Sequence, residues 1–288
     1  MTDERTPSRL ASARARAEAA WASFDERYGS TPGFRIARDV FLRDRAVAGG
    51  ELAAALAYRL FLWFLPFVLL LVAGLGIYAD ALEESPEDAA GSLGLAGLVV
   101  SSVGEAAQSE ARWYALLIGV PVLLYLTRSL ARTLVAVHRL VWRMEPGRGH
   151  LTASNVLVFL GALVAFVAVG GLVSASSAWP AWAWLVTVPT VVLARAALWL
   201  LVSSRLPRAA PGWIPLLPGA AVVGVGFLGV NWFSLLLIEQ IAAGREDAYG
   251  AFGVAATVLF SLWLSSRVLV VSAVANAVFW DRSQERAR

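Results

Sequence analysis

The chain has 288 residues, 58% hydrophobic and 16% charged, with a mean hydropathy of +0.66; this excludes an ordinary soluble domain and predicts an all-α, polytopic membrane protein. A net charge of +3 and an isoelectric point of about 9.7 would suggest nucleic acid for a soluble protein, but here the 24 basic residues, all arginine, answer first to topology, and no nucleic-acid partner is expected. The absence of cysteine excludes disulfides, thiolate metal sites and thiol chemistry.

Residues 1–7 read as a disordered tail. Leu10, Ala17, Trp21, Phe24 and Tyr28 then fall within about 60° of one another on a helical wheel. This amphipathic helix either lies on the membrane surface, with Arg9, Arg14, Arg16 and Arg27 on anionic headgroups, or folds onto the bundle. Thr31-Pro32-Gly33 breaks the chain, and a shorter helix with Phe34, Ala37 and Phe41 on one side leads to Gly49-Gly50. The first fifty residues carry no cleavable signal, so the first span is expected to act as the insertion signal. Residues 1–50 are thus a cytoplasmic amphipathic region, 51–281 a six-helix transmembrane domain and 282–288 a short cytoplasmic tail.

Leu52 to Tyr78 is the first span: its 27 residues reach roughly 40 Å against the ~30 Å of a hydrocarbon core, with one charge, Arg59, and one proline, Pro66. Pro66 frees a backbone carbonyl in mid-span and is either a packing kink or a hinge. An acidic segment follows, with Asp80, Glu83, Glu84, Glu87 and Asp88. The small-residue helix from about Ala89 to Ala107 is too short and too rich in Gly and Ser to span, so it lies on the outer surface or dips in. The hydrophobic part of the second span runs from about Trp113 to Leu134. The third covers Leu151 to Val173, the fourth Ala181 to Val202, the fifth Leu216 to Ile238 and the sixth Ala251 to Trp280.

Arginines near the span ends set the orientation. Arg35, Arg38, Arg43 and Arg45 precede the first span, Arg139, Arg143 and Arg148 follow the second, Arg205 and Arg208 follow the fourth, and Arg282, Arg286 and Arg288 follow the sixth. The other three loops hold only Arg112 and Arg245. Both termini are therefore expected in the cytoplasm.

Several stretches resemble the BrkB/YihY family of bacterial inner-membrane proteins, formerly labelled ribonuclease BN-like. They are AAALAYRLFLWFLPFVLLL in the first span, LTRSLARTLVAVHRLVW at the end of the second, PGWIPLLPGA before the fifth, and Tyr249-Gly250 with WLSSRVLVVSAVANA in the sixth. The likeness covers roughly residues 30 to 280 and implies six helices in the bacterial inner (plasma) membrane and a transport role. Two positions depart from the pattern. Trp63 stands where many members carry a small polar residue, and Ser272 to Asn276 stands where many carry a GAELN-like run. Val274 thus replaces an intramembrane glutamate, and a proton-coupled role for that carboxylate does not carry over.

Ionisable residues inside spans are functional candidates because each costs at least ~2.5–3.5 kcal/mol on insertion scales. Here they are Arg59, Arg128, Arg132, Arg195 and Arg267, with no Asp or Glu well inside any span to pair with them. Arg59 and Arg195 are each seven residues from a span end, about 10 Å, within snorkelling range. Arg267 is thirteen residues from Trp280, about 20 Å deep, and is the best single candidate. Arg128, Arg132, Arg139 and Arg143 share a helical face, a cationic rail for anionic phospholipid headgroups or for substrate. On the sixth span Thr257, Ser261, Ser265, Ser272 and Asn276 form a stripe that packs helices or lines a wet path. Asn231 on the fifth span is expected to meet Asn276.

Enzymatic readings fare poorly. His138 and His150 are the only histidines, no carboxylate cluster accompanies them, and no phosphate-binding loop is present, so neither cofactor nor metal is expected. The leading expectation is a transporter or exporter of an anionic, phosphate-bearing or otherwise acidic, solute or lipid. The alternative is a non-transporting scaffold that organises envelope proteins or lipids. Membrane lipids are partners in either case, and the oligomeric state is open.

Overall fold

The computed structural model describes residues 31–82, 112–145, 151–175, 181–242 and 246–288, and the described residues are helical with no strand. The helix expected over residues 8–28, the segment from Glu83 to Ala107, and His150 lie outside them. Seven α-helices are described: α1 (Pro32–Ala46), α2 (Gly49–Leu82), α3 (Arg112–Val141), α4 (Ala153–Ala175), α5 (Trp184–Ser204), α6 (Leu217–Ala242) and α7 (Glu246–Ala287). Single 3-10 turns, Ala181–Ala183 and Ile214–Leu216, lead into α5 and α6. Helices α2 to α7 supply six segments long and apolar enough to cross a membrane, which makes this a multi-pass membrane protein.

One helix outruns its expected end: α7 runs 42 residues to Ala287 rather than stopping near Trp280, whereas α3, expected to carry its arginine face through Arg143, ends at Val141. Hydropathy falls past Trp280, but nothing in DRSQERA breaks a helix, and α1 holds that stretch by ion pairs described below. Helices α2, α3 and α5 also run unbroken through Pro66, Pro121 and Pro189.

The spans close a ring in which α2 packs between α3 and α7, α6 between α7 and α5, and α4 between α5 and α3. Small residues permit the tightest approaches. A Cβ on Gly219 would lie 2.4 Å from the Ser272 carbonyl oxygen of α7, and one on Gly224 would lie 2.8 Å from the Val192 carbonyl oxygen of α5. Helix α4 is the peripheral member: 11% of its apolar window is buried, against 28–33% for the other five.

Helix α1 lies against α7 outside the ring, and its packing face is the polar one. Phe41 and Leu42 are half-exposed while Arg43 and Asp44 are buried. Arginines also close the helix ends. Arg43 Nη2 donates to the Val141 carbonyl (2.8 Å) at the end of α3, and Arg208 Nη1 donates to the Ser204 carbonyl (2.6 Å) at the end of α5. Arginines near the span ends therefore satisfy terminal carbonyls, where positive charge is favoured.

Candidate functional site

The five intramembrane arginines meet three different fates. Arg267 has a carboxylate after all: Nη1 and Nη2 donate to the two oxygens of Asp44, at 3.1 and 2.9 Å. This corrects the expectation that no acidic residue could pair with the set, because α1 carries Asp44 back against α7. The pair sits over Gly49, where an added Cβ would stand 2.0 Å from Asp44 Oδ1. Two further bridges extend the contact, Arg43 to Asp281 at 2.9 Å and Arg282 to Asp39 at 2.6 Å. Arg267 is thus part of a latch between α1 and α7, and its charge is neutralised in place.

Arg195 is the charge that stays unpaired. It is 2% exposed, and its Nε and Nη1 have no hydrogen-bond partner. Its guanidinium lies over the Phe227 ring, 5.4 Å from the centroid, with Gly170 of α4 beside Nη2. Eleven residues separate it from Trp184 and nine from Ser204, about 16 and 14 Å along α5, so it stands at mid-helix. Snorkelling toward headgroups does not describe it. A usable sequence signal was the spacing of Thr187, Val191, Arg195, Trp199 and Ser203, one residue per turn; Thr187, Val191, Trp199 and Ser203 are buried like Arg195.

Inside the ring is a cavity of about 230 Å³ to which all six spans contribute, among them Leu56, Thr127, Phe159, Trp199, Phe227 and Ser265. Its walls are almost wholly apolar, and such a cavity takes an apolar guest more readily than water. Trp63 lines it and donates from Nε1 to Thr127 Oγ1 at 2.9 Å, so the departure at Trp63 builds the cavity wall. Phe227 joins the cavity to Arg195: one ring lines the space, meets Phe166 at a tilt of 59° (centroids 5.1 Å apart) and carries the guanidinium. Nearby polar atoms are also unsatisfied. Trp199 Nε1, Ser203 Oγ and His138 Nε2 are buried without a partner, while His138 Nδ1 donates to the Leu134 carbonyl at 3.1 Å. Arg267 does not line this cavity.

Arg59, Arg128 and Arg132 lie on the outer surface of α2 and α3 and are exposed. The only partner among the described residues is Ser129, whose hydroxyl accepts from Arg59 Nη1. Arg143 leaves the cationic rail, because α3 ends at Val141 and Arg143 adopts φ 51° in the turn beyond. On α7 the polar stripe is mainly a packing face. Ser261 bonds Ser234 of α6 at 3.1 Å, and Ser265 alone of the stripe reaches the cavity. Asn276 is fully buried and accepts from the Gly219 N–H at 2.6 Å, capping the start of α6. It does not meet Asn231, which lies twelve residues further along α6, about 18 Å away. Val274, at the position of the glutamate, is packed in a core with Ala53, Val137 and Leu216.

No curated protein and no solved structure matches the chain. A family model described as "Virulence factor BrkB" matches residues 41–288, which takes in all six spans and every residue of the cavity wall. The chain belongs to the BrkB virulence factor family.

Proposed function

We propose that this chain is a transporter of an anionic amphiphile, an acidic lipid or lipid-like molecule, that works as an exporter in a bacterial inner membrane with both termini in the cytoplasm. The observation that supports this reading is the junction at Phe227, whose ring lines the apolar cavity and carries the buried Arg195, a residue behind the cavity wall with Nε and Nη1 unpartnered. An arginine is retained at such a cost only when something in the working cycle answers its charge. A carboxylate or phosphate answers it with two parallel N–H···O bonds, and a low-dielectric surrounding strengthens them. The apolar wall selects the rest of the ligand. A small hydrophilic anion gains nothing from Leu56, Phe159 or Trp199, whereas an acyl or other hydrocarbon body fills that space. Export suits a cell with a negative interior, which favours exit by about 2.3 kcal/mol per negative charge per 100 mV.

The second reading is a non-transporting scaffold, and one observation favours it: the deepest arginine by sequence, Arg267, is tied to Asp44 rather than to a path. Proteoliposomes separate the two. Movement of a fluorescent acidic lipid should exceed that of its zwitterionic counterpart and fall to background in Arg195→Gln. Lipid movement equal to that of protein-free vesicles, or unchanged in a well-inserted Arg195→Gln protein, would favour the scaffold.

A further inference from the structure

We infer that the outer surface of α2 and α3 carries a binding site for the phosphate of an anionic phospholipid, built from Arg59, Arg128 and Arg132. The three guanidinium groups belong to one helical turn. Arg128 and Arg132 are one turn apart on α3, and Arg59 reaches from α2 to Ser129, between them in height. All three are exposed and none has a carboxylate partner among the described residues. Three like charges this close repel one another, and an anion between them removes that cost.

What surrounds them identifies the source of the anion. On the same face of α3, Tyr125 is 70% exposed and Leu117 is 73% exposed, so an apolar surface runs away from the arginines on one side while Arg139 continues the cationic face on the other. On α2 the exposed Leu65 and Leu69 continue the apolar surface. Counted from the ends of the apolar stretches, Leu52 and Leu134, Arg59 is seven residues in and Arg128 and Arg132 are six and two, about 10, 9 and 3 Å, within reach of the headgroup phosphates. A cationic patch at the margin of an apolar belt faces lipid headgroups, and a phospholipid phosphate is an anion delivered there with its own hydrocarbon. Guanidinium forks match phosphate oxygens in pairs, which suits Arg rather than Lys. A second copy of the chain fits badly, because a two-fold contact would set this patch against itself and bring six arginines together.

This site is separate from the cavity: Arg128 and Arg59 adjoin Thr127 and Leu60 in sequence but are exposed outside the ring, while those neighbours line its interior. The test is a native mass-spectrometry titration of the full chain in detergent with phosphatidylglycerol, phosphatidylcholine and inorganic phosphate. Phosphatidylglycerol should be retained over phosphatidylcholine. Each Arg→Gln change at 59, 128 or 132 should weaken it about fivefold, the factor for ~1 kcal/mol per basic residue at an anionic membrane surface. Arg286→Gln, an exposed arginine at the far end of α7, should leave it unchanged, and lipid movement, assigned to Arg195, should persist in Arg128→Gln, so loss of transport and loss of this site are distinguishable. The Arg→Lys triple variant should keep part of the binding, and if the Gln triple variant is not recovered the single Arg128→Gln decides the question. Equal phosphatidylglycerol affinity in parent and Gln variants would overturn the site. Displacement of the lipid by inorganic phosphate would assign it to a free anion instead, and a shift in oligomeric state with lipid binding unmoved would assign it to a contact between copies.

Discussion

Replacing Asp44 by Asn tests whether the α1–α7 latch holds its place through charge. The pair is partly buried, with Arg267 26% and Asp44 11% exposed, so it falls between exposed pairs worth 0–1 kcal/mol and buried pairs whose disruption costs 3–5 kcal/mol. Asp44→Asn strands the Arg267 cation and should cost ~2–3 kcal/mol. Arg267→Gln strands the carboxylate and should cost a similar amount. The double variant removes both charges and keeps two hydrogen-bonding amides, so its loss should be ~1 kcal/mol, leaving a coupling of at least ~3 kcal/mol. Reversible unfolding in mixed micelles, followed by tryptophan fluorescence, measures all four corners of the cycle. Gly49→Ala adds an independent check, because its Cβ would stand 2.0 Å from Asp44 Oδ1. It should destabilise the parent and be nearly neutral in an Asp44→Ala background. Single-variant losses that simply add in the double variant would refute the pairing as the source of the latch's stability.

Gly219→Ala should destabilise by ~1–3 kcal/mol, because its Cβ meets a backbone oxygen that cannot turn away, whereas Gly50→Ala, with nothing within 4 Å, should not; thermal melting of the two variants checks the contrast. Arg195→Met should raise the melting temperature of the ligand-free protein, since it removes a buried unpaired charge, while abolishing lipid movement; a lower melting temperature would mean that Arg195 is satisfied within the fold. Ser85→Cys, on a background without native cysteine, should be labelled by an impermeant maleimide from outside the cell only, and labelling from inside alone would reverse the orientation.

The spans were legible because length and hydropathy are local properties, and all six segments fall where the sequence puts them. Helix ends were not, since α7 leaves the apolar belt without leaving the helix and α3 stops at Val141, short of Arg143. Depth counted back from Trp280 therefore placed Arg267 in unrelieved hydrocarbon, when its partner is Asp44, 223 residues earlier in the chain. No spacing rule connects those positions; only the reversal of α1 onto α7 does. Arg195 was underrated for the opposite reason. Seven residues from Val202 looked like snorkelling distance, but the direction of a side chain depends on what the neighbouring helices present to it, and the Phe227 ring under this guanidinium comes from another helix. The contact between Asn231 and Asn276 failed because a shared helix face fixes direction around the axis and not height along it.

The sorting of the five arginines changes how selectivity has to work. An inward-facing vestibule lined by all of them would concentrate any anion through its summed field. In the fold, one is paired on α1, three face outward from α2 and α3, and Arg195 alone adjoins the cavity, through Phe227. A single charge attracts phosphate and a fatty acid alike, so discrimination passes to the apolar walls. Hydrocarbon that arrives from the bilayer gains little by entering an apolar cavity, because lipid tails are as apolar as the walls, so the walls act by exclusion and not by attraction. A hydrated anion must shed its water to stand against them, whereas the body of an amphiphile is already in such surroundings. The residues that decide what passes are then the cavity's aromatic side chains as much as the arginine behind its wall.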